Sequence, residues 1–217
     1  MVEGAHAFPP SVDTRLAGWD LLWIELTVGT PVKGLSELCK SAPSRMRHIL
    51  TGLPPAEHPV VQSVRGLFRN AGCDPIRYRP SSEALIRRLE KGEPIPAILP
   101  AVDFNNLLSV ELLVPCCVLE PEAIAPPLVL RRGRPGEIMD SMRGPFTLDA
   151  KPVLADADGP FGTPITDSEK VKVKTDTGTF WMVVYLPRAA LSRDRVETVL
   201  KDLGKKITGL SWKLAPA

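Results

Sequence analysis

Histidine and cysteine are scarce in this 217-residue chain, and the few present fall in no ligand pattern. His6, His48 and His58 lack metal-ligand spacing, which argues against metal catalysis. Cys39, Cys73, Cys116 and Cys117 form no CxxC pair, so neither a zinc site nor a thioredoxin-like redox motif is expected. Adjacent Cys116 and Cys117 do not readily bridge each other, and reduced, cytosolic thiols are the expectation. Nucleotide and hydrolase signatures are missing as well. There is no GxxxxGK[ST] loop, GRPGE is not GxGxxG, and no GxSxG elbow occurs. The stretch MVEGAHAFPPSVDTRL has no basic region leading into an apolar run, so no secretion signal is expected, and no apolar run has bilayer-spanning length. A cytoplasmic protein with no membrane partner and no cofactor follows as the expectation. The net charge is only +2. A nucleic-acid partner would therefore need a local basic patch, because phosphate contacts supply most non-specific affinity.

What is there has the ordinary globular balance, 44% hydrophobic and 24% charged. The length allows one large domain or two small ones, and with no repeat or low-complexity linker one domain over 1–217 is the simpler reading. Residues 1–10 read as an irregular leader. Trp19–Val28 reads as a strand ending at Gly29, followed by short helices at Leu35–Cys39 and Ser44–Leu50. A helix over Val60–Asn70 stops at Gly72, and Ser81 is the expected N-cap of the next helix, with Glu83 in its first turn and Gly92 at its end. Asp103–Leu113 has near-helical apolar spacing up to Pro115. Strands are expected at Leu128–Leu130, from Ile138, at Phe146–Leu148, Pro152–Ala155, Val171–Thr175 and Thr179–Leu186. A polar loop should occupy 161–170, a closing helix Arg195–Lys206, and the tail should fray after Trp212. This order gives an α+β fold, with a central, mostly antiparallel sheet flanked by helices.

Three constellations carry candidate chemistry. Asp103, Asn105, Asn106 and Glu111 place polar groups in an apolar helix. They either satisfy its start and the nearby loops or present amide donors to a pocket. Cys116–Cys117 follows a helix-breaking proline; these thiols are either buried small hydrophobes or the lip of a pocket. The run Asp167-Ser-Glu-Lys-Val-Lys-Val-Lys174 either decorates a solvated strand edge or turns Glu169 to a pocket, with Lys170, Lys172 and Lys174 on one face toward phosphates. Arg77, Arg79, Arg87, Arg88, Arg131, Arg132 and Arg134 could extend that patch if the fold gathers them.

The ordered series RYRPSSEALIRRLEKGEPIP, LPAVDFNNLLSVELLVPC, DADGP and DSEKVKVKTDT resembles the B3/B4 domain, the editing domain of the phenylalanyl-tRNA synthetase β subunit, which also occurs as free-standing proteins. The likeness covers roughly 58–190, with the strand and helices of 12–57 expected to pack on it. The resemblance implies a trans-editing aminoacyl-tRNA deacylase that hydrolyses the ester of a mischarged tRNA. The bacterial motif, Asp-Val-Thr-Asn-Tyr-Val followed by Glu and Pro-Met-His, lays its Thr at Asn105, its Asn at Asn106, its Glu at Glu111 and its His at Cys117. The editing glutamate of the later Gly-Gly-Glu motif falls at Glu169. Asn106 and Glu169 are then the implied catalytic pair, and Asn105, Glu111, Cys117 and Ser168 the implied substrate contacts. Arg79, Arg87, Arg88, Lys172 and Lys174 are the implied tRNA contacts. The motif's threonine and histidine are not retained. Two further readings stand beside deacylation: a non-catalytic tRNA- or RNA-binding module of the same fold, and a small-molecule binder of amino acids or nucleosides.

Overall fold

A computed structural model describes residues 8–216. The expected leader falls largely on 1–7, and His6 with it, outside the described residues. Phe8 already packs its ring 6.0 Å from that of Trp181.

The longest strand organises the fold. β2 (Trp19–Lys33) runs antiparallel to β9 (Gly178–Pro187) on one side and β10 (Thr208–Leu214) on the other, and β9 also pairs with β3 (Cys116–Leu119). This β10–β2–β9–β3 sheet is the central antiparallel sheet of an α+β fold. A second sheet orders β1 (Val12–Thr14), β4 (Leu128–Arg132), β7 (Pro152–Asp156) and β8 (Gly159–Gly162), antiparallel except for β1 against β4. A two-stranded ribbon, β5 (Ile138–Ser141) with β6 (Gly144–Thr147), forms a third sheet, with Met139 packed against Val153 and Ala155 of β7.

Helices α1 (Leu35–Leu50), α2 (Pro59–Asn70), α3 (Ser81–Glu90), α4 (Pro100–Leu112) and α5 (Arg193–Gly204) build the other layer. Helix α4 lies at its centre, touching β2, β3, β9, α1, α3 and α5. That position explains its composition: Phe104, Leu107, Leu108, Val110 and Leu112 are buried around most of its circumference. No helix among the described residues is long and apolar enough to cross a membrane.

Several local expectations are corrected. The two short helices are one, α1, running through Pro43. Leu38, Ala42, Met46 and Leu50 continue one buried stripe across the proline, and burying it outweighs the roughly 3 kcal/mol that an internal proline costs. Strand β2 passes Gly29 to Lys33 because β10 supplies a partner there. Helix α4 starts at Pro100, a residue suited to the first turn. Ser81 is the first helical residue of α3 rather than its cap, and its backbone N–H donates to the Pro164 carbonyl at 2.9 Å. Strand β8 occupies the start of the expected 161–170 loop. Val171–Thr175 enters no ladder, although Val171 and Val173 point inward and Lys172 and Lys174 outward. The chain stays ordered past Trp212: β10 runs to Leu214, the Ala215 N–H donates to the Trp23 carbonyl at 2.9 Å, and Trp212 itself stacks on Phe104 at 5.5 Å and 19°.

Candidate functional site: an arginine-lined cleft

A cleft of about 660 Å³ opens between the turn before α3, helices α3 and α4, the β5–β6 ribbon and the loop 163–168. Each wall has a local cause. Asp74 accepts the Ile76 N–H on its side chain and the Tyr78 N–H on its carbonyl, both at 2.9 Å. This closes an Asp-Pro turn that projects Arg77, Tyr78 and Arg79 in succession. Helix α3 is fixed to α2 by buried Glu83, which takes two hydrogen bonds from Arg65, at 2.8 and 2.5 Å. That pairing holds the Arg65 guanidinium above its ordinary pKa.

On α4, neighbouring asparagines part company. Asn106 is half-buried and lines the cleft. Asn105 turns inward, donates to the Cys116 carbonyl at 3.3 Å and leaves its Oδ1 buried without a partner. Asp103 accepts the Ile98 N–H at 2.8 Å, which shapes the loop entering α4; burial raises its pKa. Arg143 sits at the tip of the ribbon, where Ser141 Oγ donates to the Gly144 carbonyl at 2.7 Å and accepts the Arg143 N–H at 3.2 Å. The loop 163–168 ties the walls together. Pro164 holds the start of α3, the Asp167 carbonyl accepts the Met142 N–H at 3.1 Å, and Ser168 Oγ donates to the Asp140 carbonyl at 2.9 Å.

The cleft carries one sign of charge. Its charged lining groups are Arg77, Arg79, Arg88 and Arg143, with no carboxylate among them. Arg88 is engaged by the Pro94 carbonyl and Glu93, whereas Arg79 and Arg143 have no acidic partner among the described residues. Tyr78, Phe146, Cys116 and Asn106 complete the functional surface.

Directly behind Cys116 lies a buried polar trio. The Cys117 thiol adjoins both the Asp167 carboxyl and the Tyr185 hydroxyl. They meet around Gly162, where an added Cβ would lie 3.1 Å from Asp167 Oδ1 and 3.7 Å from the Tyr185 hydroxyl. Neither of those oxygens makes a hydrogen bond of ordinary geometry. Burial pushes the Asp167 carboxyl up to about 7, partly offset by the Cys117 thiol and the Thr163 N–H. Burial also holds the Cys117 thiol and the Tyr185 hydroxyl well above their usual values.

The residues implied by the resemblance are thus dispersed. Asn106, Arg79 and Arg88 meet in the cleft. Arg87 is exposed on α3 outside it. Cys117 belongs to the buried trio, and it is Cys116 that reaches the cleft, because successive strand residues point to opposite faces. Glu111 points away from Asn106; it pairs with Arg45 Nε at 2.5 Å and lines a different cleft beside His48. Ser168 is buried and caps the turn at Glu169–Val171. Glu169 pairs with Lys172 at 3.2 Å on the surface, outside the cleft lining, and Lys174 is exposed. Lys170 is held by Asp156 and Asp158, and Arg131 by Glu137, so neither is free to extend a phosphate surface. Tyr78, Phe146 and Arg143 were not legible as site residues. The Asp-Pro turn before Arg-Tyr-Arg was the available signal for Tyr78, and the glycine-closed ribbon tip for Arg143.

With this geometry in place, comparison with known proteins defines the class. The family model of the B3/4 domain matches residues 65–199, a span that contains every residue lining the cleft. The chain belongs to the B3/4 domain family. Among solved structures, it is similar to an N-terminal fragment of the phenylalanyl-tRNA synthetase β subunit from Pyrococcus horikoshii, with 13% identity and a TM-score of 0.43. That match covers 94% of this chain and 51% of the fragment, so the chain spans about half the fragment's length. No curated protein matches the chain.

Proposed function

We propose that this protein is a trans-acting aminoacyl-tRNA deacylase that receives the aminoacylated 3′ end of a tRNA in the arginine-lined cleft. The observation that carries the reading is the cleft's charge. A concave site whose charged lining groups are all arginines, three of them (Arg77, Arg79 and Arg143) without an acidic partner among the described residues, suits a phosphate-bearing ligand better than a free zwitterionic amino acid. An aminoacyl ester is already activated, so orientation and oxyanion stabilisation account for much of the required catalysis. In this reading the Asn106 amide donates to the ester carbonyl oxygen, while Arg79 and Arg143 hold phosphates of the terminal nucleotides. A water oxygen bonds to the carbonyl carbon, the bond to the ribose oxygen breaks, and the ribose oxygen takes up the proton that the water gives up. Glu169, paired at the surface, would have to leave Lys172 to take part.

A second reading, a tRNA-binding module without hydrolysis, is favoured by one specific observation: no carboxylate or histidine lines the cleft. One experiment separates them, a deacylation screen across mischarged tRNAs with wild type, Asn106→Ala and Glu169→Ala. Multiple-turnover release of amino acid, slowed on the order of 100-fold in Asn106→Ala, supports deacylation. Salt-dependent tRNA binding with no release from any substrate supports the binding module. Absence of tRNA binding refutes both.

A further inference from the structure

Tyr78 is the least explained group in the cleft. Its ring is held from two directions. Lys151, only 2% exposed, places its ammonium 3.7 Å from the ring centroid, and Phe146 meets the ring edge-on at 6.3 Å and 87°. Lys151 has no carboxylate partner among the described residues and donates only to the Asp149 carbonyl, at 3.4 Å. The aromatic faces therefore supply much of what stabilises this buried cation. A buried cation needs the ring where it is, so the ring is locked. Lys151 lies behind it, outside the cleft lining, whereas Tyr78 itself lines the cleft. Arg77, which lines the cleft beside Tyr78, also stands over the ring, its guanidinium carbon 5.1 Å from the centroid. Arg77 is exposed and has no acidic partner among the described residues.

We propose that Tyr78 is a stacking platform for the base of an unpaired nucleotide, which enters between the Tyr78 ring and the Arg77 guanidinium. A base needs roughly 3.5 Å of contact distance on each face. Arg77 must then rise by roughly 2 Å, a motion open to an exposed side chain on a turn. Arg79, Arg88 and Arg143 line the same cleft and can meet the flanking phosphates of that nucleotide. This combination of a fixed aromatic face, a guanidinium plane and surrounding cations selects a splayed single-stranded end over a duplex, whose bases are already stacked and paired. The inference rests on the reading of the cleft as a tRNA-end site and sharpens it: the cleft recognises the terminal nucleotide as well as the ester attached to it.

The test is anisotropy of a 5′-labelled single-stranded RNA ending in CCA, binding to unaltered protein. Two further arms use the same RNA with an abasic 3′-terminal residue and the same RNA annealed as a blunt duplex. Both should bind on the order of 10- to 100-fold more weakly than the parent strand. Tyr78→Leu should show a loss of the same size, and Tyr78→Phe should stay within about threefold of wild type, since the π-face is kept. Equal affinity for the parent and abasic strands overturns the proposal, as does no binding of the parent strand. So does a Tyr78→Leu protein that melts like wild type and binds the strand unchanged. Loss on removing the base without any deacylation would leave the stacking site standing and refute hydrolysis. Deacylation by a protein indifferent to the terminal base would do the reverse.

Discussion

The buried trio behind the cleft gives a sharp prediction about pH. Asp167 is held in its neutral form by burial, and its pKa rises from 3.8 to about 7. Its neighbours, the Cys117 thiol and the Tyr185 hydroxyl, are themselves held neutral by burial and bring no countercharge. Between about pH 4 and pH 7 the native state binds more protons at this site than the unfolded chain does, so stability falls as pH rises through that window and is level outside it. About three units at about 1.4 kcal/mol each amount to about 4 kcal/mol lost by pH 8. Asp167→Asn keeps the shape and removes the ionisation. Urea unfolding of both proteins, followed by tryptophan fluorescence from pH 4 to 8.5, isolates the site as a difference. Groups with lowered pKa, such as Glu137 and Asp202, titrate alike in both proteins and cancel. The variant should gain on wild type by about 4 kcal/mol between pH 4 and 8. A difference that is flat across that range, or that runs the other way, would refute the burial argument.

Other expectations follow from the same structure. All four thiols are buried and none is activated: burial raises Cys39 to about 12 and Cys73 to about 11, and holds Cys116 and Cys117 up as well. Ellman's reagent at pH 8 should therefore react with the native protein only slowly, and with four thiols after guanidinium unfolding; a fast native thiol would contradict this. Glu83→Gln breaks the α2–α3 clasp and strands part of the Arg65 charge, lowering the urea midpoint by the equivalent of about 3 kcal/mol. Gly34→Ala must place a Cβ 2.0 Å from the Lys206 carbonyl oxygen at φ +85°, whereas Gly52→Ala at φ +84° meets nothing within 4 Å. The first should cost well over 2 kcal/mol and the second about 1 kcal/mol, read as melting temperatures; equal losses would mean that the clash is relieved elsewhere. Binding of single-stranded RNA should weaken with salt at a log–log slope of about −2 for three arginine–phosphate contacts, and Arg143→Gln should flatten it by roughly 0.7.

Local sequence signals placed most elements but not the pairing between them. The apolar run at Trp19 marked β2, and the periodicity of Phe104, Leu107 and Leu108 marked α4, because each pattern reports burial of its own element. Strand β3 was missed since its four residues are buried on both faces and carry no alternation. Strand β10 was missed since its apolar members, Leu210, Trp212 and Leu214, gain a partner only from β2 at the opposite end of the chain. The site divides in the same way. Asn106, Arg79 and Arg88 could be named from the chain alone, and the fold brings them to one cleft. Which of Cys116 and Cys117 faces that cleft depends on strand register, and the meeting of Tyr78, Phe146 and Lys151 depends on a ribbon folding back onto a distant turn. No spacing rule within a single segment reports either.

The pairing of β2 also sets a timetable for synthesis. The central strand is made before α1 to α4 and both smaller sheets are complete, yet its hydrogen-bonding partners, β9 and β10, follow only at residues 178–187 and 208–214. Until residues 178–187 and 208–214 have emerged, both edges of an apolar strand stand open, and α4 lacks the Trp212 ring that covers Phe104. Closing loops of such length makes assembly slow and late, dominated by the entropy of bringing β2 together with β9 and β10. Nascent chains stalled before residue 208 should accordingly remain sensitive to proteases and bound to chaperones, although every residue of the arginine cleft has already been made.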